Sequence, residues 1–216
     1  MGYRHHLGND RFILEKVFPN RRKGFFIEAG ATNGINGSAS YVMETEYDWN
    51  GICFEPIPQQ FEQLLKNRKC YADRRCLWSR SGEILEFDYF PKHSGRSGIS
   101  SRNKNAEALN REKSEKIVLR KETVTLLEAL RCFKAPRAIE YLNLDVEGAE
   151  REIFSAFPFD GPYTILAVSI EGPGCDDIFQ RNGYTSVINP FSDKMFERYY
   201  VHPGVPTVSS LQRRRV

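Results

Sequence analysis

Residues 24–38 read GFFIEAGATNGINGS, and the organisation of the chain turns on them. GFFI is a run of bulky apolar and aromatic residues with the composition of a buried strand. It leads to Gly30 and Gly34, a turn whose glycines let backbone approach a ligand closely. Glu28 stands between run and turn. A dinucleotide-binding turn reads GxGxxG and aims helix amides at a pyrophosphate, which a carboxylate would repel. Here the pattern is ExGxxxG, which favours a ligand with a positive end and no phosphate.

The same device recurs along the chain. GICFEP (51–56) ends in Glu55, IEYLNLD (139–145) ends in Asp145 with Glu147 two positions on, and TILAVSIEG (164–172) reaches Glu171. Helical segments separate these apolar runs. Ser38 is placed to cap one through SYVMETEY (40–47), and Pro58 suits the first turn of another, with Phe61, Leu64 and Leu65 on one face. Thr125 and Glu128 form a capping-box pattern before LLEALRCF, and VEGAEREIFSAF turns Ile153, Phe154 and Phe157 inward. A short helical pattern also spans RFILEKVF near the start, and KCYADRRCLWS and EILEFDYF read as further strands. Strands alternating with helices at this spacing predict an α/β fold with a mostly parallel, doubly wound sheet. GYTSVINP and MFERYYV, separated by FSDK, predict a C-terminal antiparallel hairpin. One domain over residues 1–216 is expected, closed by a frayed basic tail at 207–216.

Residues 92–116 break the alternation. KHSGRSGISSRNKNAEALNREKSEK holds seven Lys or Arg against three Glu and almost no large apolar side chain. Such an insert is expected to be a mobile lid or a disordered loop.

Composition narrows the classes. A hydrophobic content of 40% and a charged content of 27% are ordinary for a globular domain. A net charge of +3 is too small to argue for nucleic acid. Cys53, Cys70, Cys76, Cys132 and Cys175 form no CxxC pair and their number is odd, which favours reduced thiols in a cytoplasmic setting. No apolar run approaches the roughly 18 residues a membrane span needs, and MGYRHHLGND lacks a signal-peptide core.

In an open α/β sheet, ligands bind beyond the carboxyl ends of the strands. Four of the ends here carry acids. Such a ring suits a ligand with an ammonium and a free ribose, and Glu55, 25 residues past Gly30, is placed to accept both ribose hydroxyls. Asp145, ending a buried strand, needs something positive to meet it.

FFIEAGATNG, GICFEP-x-P with a helix bearing Asn67-Arg68, and EYLNLDVEGAEREI together resemble, in order and spacing, the FkbM family of methyltransferases. The resemblance covers roughly residues 8–201, with LDVEGAE its most specific piece. It implies a Rossmann-like class I fold and S-adenosylmethionine-dependent O-methylation. By that analogy Glu28, Gly30 and Gly34 surround the methionine end, with Asn33 and Ser38 as polar neighbours. Glu55 takes the ribose, Pro56 or Ile57 lies against the adenine, Cys76 and Leu77 meet its edge, and Asp145 faces the ammonium or the acceptor. Methyl transfer to a hydroxyl gains from a general base, for which Glu147, Glu171 and Asp145 are the candidates and His93 a rival. Those three carboxylates would also suit Mg²⁺, but no metal is predicted. The expected acceptor is a sugar or other small polyhydroxylated compound or glycan. Two alternatives stand beside it: an RNA methyltransferase using the insert and Arg213–Arg215, and a binding module that no longer transfers methyl groups. The acceptor's identity and the oligomeric state are not written in the sequence.

Overall fold

The computed structural model describes residues 2–192 and 197–214. Its eleven described strands are β1 (Phe25–Ala29), β2 (Asn50–Phe54), β3 (Tyr71–Asp73), β4 (Cys76–Leu77), β5 (Ile84–Tyr89), β6 (Gly98–Ile99), β7 (Ile117–Val124), β8 (Ala138–Leu144), β9 (Thr164–Glu171), β10 (Thr185–Val187) and β11 (Glu197–Val201). The helices are α1 (Asn9–Phe12), continued by a wider turn over Ile13–Val17, then α2 (Tyr41–Tyr47), α3 (Pro58–Asn67), α4 (Ala106–Arg111), α5 (Leu126–Cys132), α6 (Glu150–Ser155) and α7 (Asp176–Arg181).

The main sheet has seven strands in the order β10-β11-β9-β8-β1-β2-β3. β3, β2, β1, β8 and β9 run parallel, while β11 is antiparallel to both β9 and β10. Both faces are covered, so the central strands are apolar on both sides. Ile27, Leu142 and Val168 pack on one face against Leu130 of α5, Phe154 of α6 and Phe179 of α7. Phe26, Tyr141 and Ala167 pack on the other against Phe12 of α1, Met43 of α2 and Leu64 of α3. The strand order reverses at β1 and β8, and that is where the acids gather.

Local signals explain the boundaries. Pro58 opens α3, where its missing N–H costs nothing. Ser38 lies two residues before the N-cap of α2, yet its hydroxyl accepts the amides of Ser40 and Tyr41 at 3.2 and 3.0 Å. Thr125 caps α5 by accepting the Glu128 amide at 3.2 Å. The reciprocal half of the expected capping box is absent, because Ser81 Oγ accepts the Thr125 amide.

The structure departs from expectation in five places. KCYADRRCLWS is two strands, because Asp73 and Arg75 form a fork and break the run; β3 closes the main sheet and β4 enters another. That second sheet, β4-β7-β5-β6, includes β7, whose sequence IVLRKETV is too polar and too exposed to announce a strand. Leu65 does not share the buried face of Leu64 and is 56% exposed. The tail over 207–214 is not frayed: Thr207 Oγ1 donates to Val17 O at 2.6 Å and Arg213 bridges to Val187. Part of the FSDK linker and the first residues of MFERYYV, at 193–196, lie outside the described residues, as do 215–216.

The insert is the largest difference. Pro91–Arg96 forms a 3-10 turn, Gly98–Ile99 adds β6 to β5, and residues 106–111 form α4. Ile99 and Leu109 are buried. A few apolar side chains anchor it, fewer than a periodicity search detects.

Candidate active site

A pocket of about 630 Å³, including its open mouth, lies beyond the carboxyl ends of β1, β2 and β8. Gly30 and Thr32 form one edge, and Glu55, Pro56 and Ile57 the next. Cys76, Leu77, Phe87 and Ile99 make an apolar wall, and Asp145 and Glu147 close the far side. Ser94, Gly95 and Ser97 of the insert complete the lining, so the insert walls the pocket.

Glu55 is 2% exposed and aimed by two backbone amides, Thr32 N on Oε2 and Ile57 N on Oε1, each at 2.8 Å. Burial raises its pKa to about 7 despite those donors. Each oxygen keeps acceptor capacity on the pocket side. Cys76 is likewise pushed up to about 12 by burial, so the wall beside it is a neutral thiol.

Glu28 behaves differently. Phe26 and Glu28 share one face of β1, and that face looks into the α2 and α3 layer, away from the pocket. Its carboxylate accepts from Ser38 Oγ and Ala39 N, both at 2.7 Å, and from Ser40 Oγ. Arg68 Nη1 lies 3.7 Å away in a pair buried on both sides. The expected direct contact with a ligand is therefore corrected: Glu28 organises the turn from behind. Asn33, Gly34 and Ser38 are also off the lining. Asn33 Oδ1 accepts the amides of Ile35 and Asn36, and Gly34 sits where a Cβ would come within 2.7 Å of Arg68 and Leu64. Asn67 and Arg68 hold the turn's outer rim by donating to Asn33 O and Gly34 O. Gly30 needs its glycine twice over, with φ +83° and a Cβ position 2.1 Å from Asp145 O.

The third element is the acid cluster. Asp145, Glu147 and Glu171 bring carboxylate oxygens within 4.8 Å of one another. Asp145 Oδ1 is fully enclosed and has no hydrogen-bond partner. Burial first, then repulsion from Glu171 and Glu147, drives its pKa well up. Glu147 is held with φ 60°, a left-handed conformation uncommon for a side-chain-bearing residue, and burial raises its pKa too. The next residue, Gly148, lies so close to the insert that a Cβ would meet Arg102 O at 2.2 Å. Glu150 accepts the Val146 and Gly148 amides at 3.4 Å and so braces the same turn.

Sequence reasoning missed two members of this site. Lys104 Nζ reaches Glu171 at 2.6 Å and Glu147 at 3.3 Å, and Asn105 Nδ2 donates to Glu147 at 2.7 Å. Both belong to the polar insert, where nothing in the local pattern marks one of its seven Lys or Arg residues. His93 is exposed and off the pocket lining. Glu171 belongs to the cluster without lining the pocket.

With that geometry in place, the comparisons are specific. Residues 28–185 match the family described as Methyltransferase FkbM domain. The chain belongs to that family. Its match begins at Glu28 and includes the acid-bearing ends of β1, β2, β8 and β9. Among curated proteins no sequence matches the chain. No described helix is long and apolar enough to cross a membrane.

Proposed function

We propose that this FkbM-family methyltransferase uses S-adenosylmethionine, on a Rossmann-like class I scaffold, to methylate a hydroxyl of a sugar or other small polyhydroxylated compound. The observation that carries the reading is the pairing, in one pocket, of Glu55 with Asp145. Glu55 is aimed to accept two hydroxyls, as a ribose offers. Asp145 presents an enclosed oxygen suited to an ammonium. Between them Ile57, Cys76 and Leu77 supply an apolar slot for a flat base. When bound, S-adenosylmethionine supplies an electrophilic methyl group on a sulfonium.

The chain's own work is then to position and to move a proton. Asp145 and Glu147 line the pocket, and burial raises both carboxyl pKa values, which makes each a stronger base once deprotonated. The insert excludes water from one side through Ser94, Gly95 and Ile99. A small hydroxyl acceptor fits this better than RNA, because most of the insert's seven cations are engaged in ion pairs. Lys104 pairs with Glu147 and Glu171, Arg102 with Glu152, Lys116 with Asp88 and Arg96 with Glu112.

Calorimetric titration of S-adenosylmethionine tests the reading. The wild type is expected to bind it and to ignore NADH, and Glu55→Ala to bind about tenfold or more weakly, given what a hydrogen bond to a charged group is worth. A wild type that takes up no S-adenosylmethionine would remove the proposal. Undiminished binding by Glu55→Ala would remove the ribose assignment.

A further inference from the structure

Cys53 and Cys70 take no part in the pocket, yet their sulfurs are in contact. Cys53 lies within β2 and is fully buried, and Cys70 stands just ahead of β3, half-buried and outside the strand pairing. Both sit on the side of the sheet covered by α2 and α3. The Cys70 thiol donates to Cys53 Sγ at 3.6 Å. That hydrogen bond, and then burial, raise the Cys70 pKa, so the resting pair keeps its proton there. Arg68, buried two positions before Cys70, sets a positive charge that acts on both sulfurs, a setting that favours thiolate chemistry once the proton leaves. The other three thiols lie on other elements: Cys76 in the pocket wall, Cys132 at the end of α5 and Cys175 at the start of α7.

From this contact we infer that Cys53 and Cys70 form an oxidisable dithiol, a modification site that a peroxide converts to a disulfide and a thiol reductant restores. Cys70, the more exposed of the two, attacks a peroxide oxygen; the O–O bond breaks and one water leaves with the thiol proton. Cys53 then attacks the sulfenic sulfur of Cys70. An S–S bond forms, the S–O bond breaks, and a second water carries off the Cys53 proton. The two thiols lose two electrons, and hydrogen peroxide is reduced to two waters. An S–S bond of about 2.05 Å requires the sulfurs to close by about 1.5 Å from their 3.6 Å contact. Cys53 is held between β1 and β3, so Cys70 is the partner that moves. The bond closes a loop that carries Glu55, Pro56 and Ile57 of the pocket and the whole of α3. Closing that loop restricts the unfolded chain, so the oxidised form is the more stable one.

The test adds hydrogen peroxide to the reduced whole chain under native conditions, followed by digestion without reductant and mass spectrometry. A peptide pair joined through Cys53 and Cys70, and separated by dithiothreitol, is expected. The oxidised chain should melt about 5 °C or more above the reduced one. Cys132→Ser should keep both the link and the shift. Cys70→Ser, checked for folding by circular dichroism, should lose both. Peroxide that carries Cys70 to sulfinic acid with no link to Cys53 overturns the site. So does a link that fails to raise the melting temperature, or a shift that Cys70→Ser retains. Neither methyl donor nor acceptor is present, so this result is separate from the methyl-donor titration.

Discussion

Glu28 and Glu55 are the same residue type at neighbouring strand ends, and their surroundings give them different work. Glu28 lies within β1 and points into a layer that supplies Arg68, two serines and a backbone amide. Glu55 lies just past β2, meets two amides, and keeps its outer face to the pocket. Removing Arg68 leaves Glu28 charged and buried without its cation. Arg68→Ala should cost about 3–5 kcal/mol in denaturant unfolding. Arg68→Lys should recover little of that, because one ammonium cannot replace contacts to Glu44, Gly34 and Ser40 from separate guanidinium nitrogens. For Glu55 the expected effect is on pH dependence. Its pKa is raised from 4.5 to about 7 by burial, and hydroxyl donors favour its charged form. Binding should therefore release a proton near neutral pH and tighten as pH rises through about 7. Calorimetry in two buffers of different ionisation enthalpy would show it; identical heats in both would contradict it.

At the level of elements, the insert carries most of the surprise. Two of its hydrogen bonds are made to the rest of the fold, Ser100 N to Glu86 O and Lys104 N to Glu147 O, and Asn103 N to Ile99 O closes a turn within it. Amide exchange should therefore show those three protected well beyond a disordered loop, and protection near unity would refute the ordered insert. Helix α5 offers a simpler expectation. Thr125→Ala removes the acceptor for Glu128 N and should cost about 1 kcal/mol, read from the thermal midpoint. These elements also show why part of the fold was legible. The runs GFFI, GICF, IEYLNL and TILAVSI are buried on both faces, so their apolar character is continuous and visible. β7 is exposed over much of its length and the insert has few anchors, so both look like loops until partners are placed beside them.

For the whole molecule, the buried acids set the pH response. Burial raises the pKa of Glu55 to about 7, and raises those of Asp145, Glu147, Glu150 and Glu197. In that window the native state keeps protons that the unfolded chain has released. Stability from these groups is thus full below about pH 4.5 and is lost as pH rises through their folded values. The melting temperature should fall between about pH 5 and about pH 7.5. A flat or rising profile would show that these carboxyls are not held protonated. Opposite contributions come from His5, lowered to about 3 by burial, and from Asp177, lowered to about 2 by Arg151 in an exposed pair that solvent screens.

By itself the sequence determined the alternation of strands and helices, the glycine turn, and the acids at the strand ends, because these depend on neighbours a few residues away. Only the tertiary structure decided which acids face the pocket. The pleat of β1 sends Glu28 backwards, the turn after β2 sends Glu55 forwards, and the insert folds across to set Lys104 and Asn105 against Glu147. Local pattern records that a residue is polar; the direction it points, and the charge it meets there, come from contacts between segments distant in the chain.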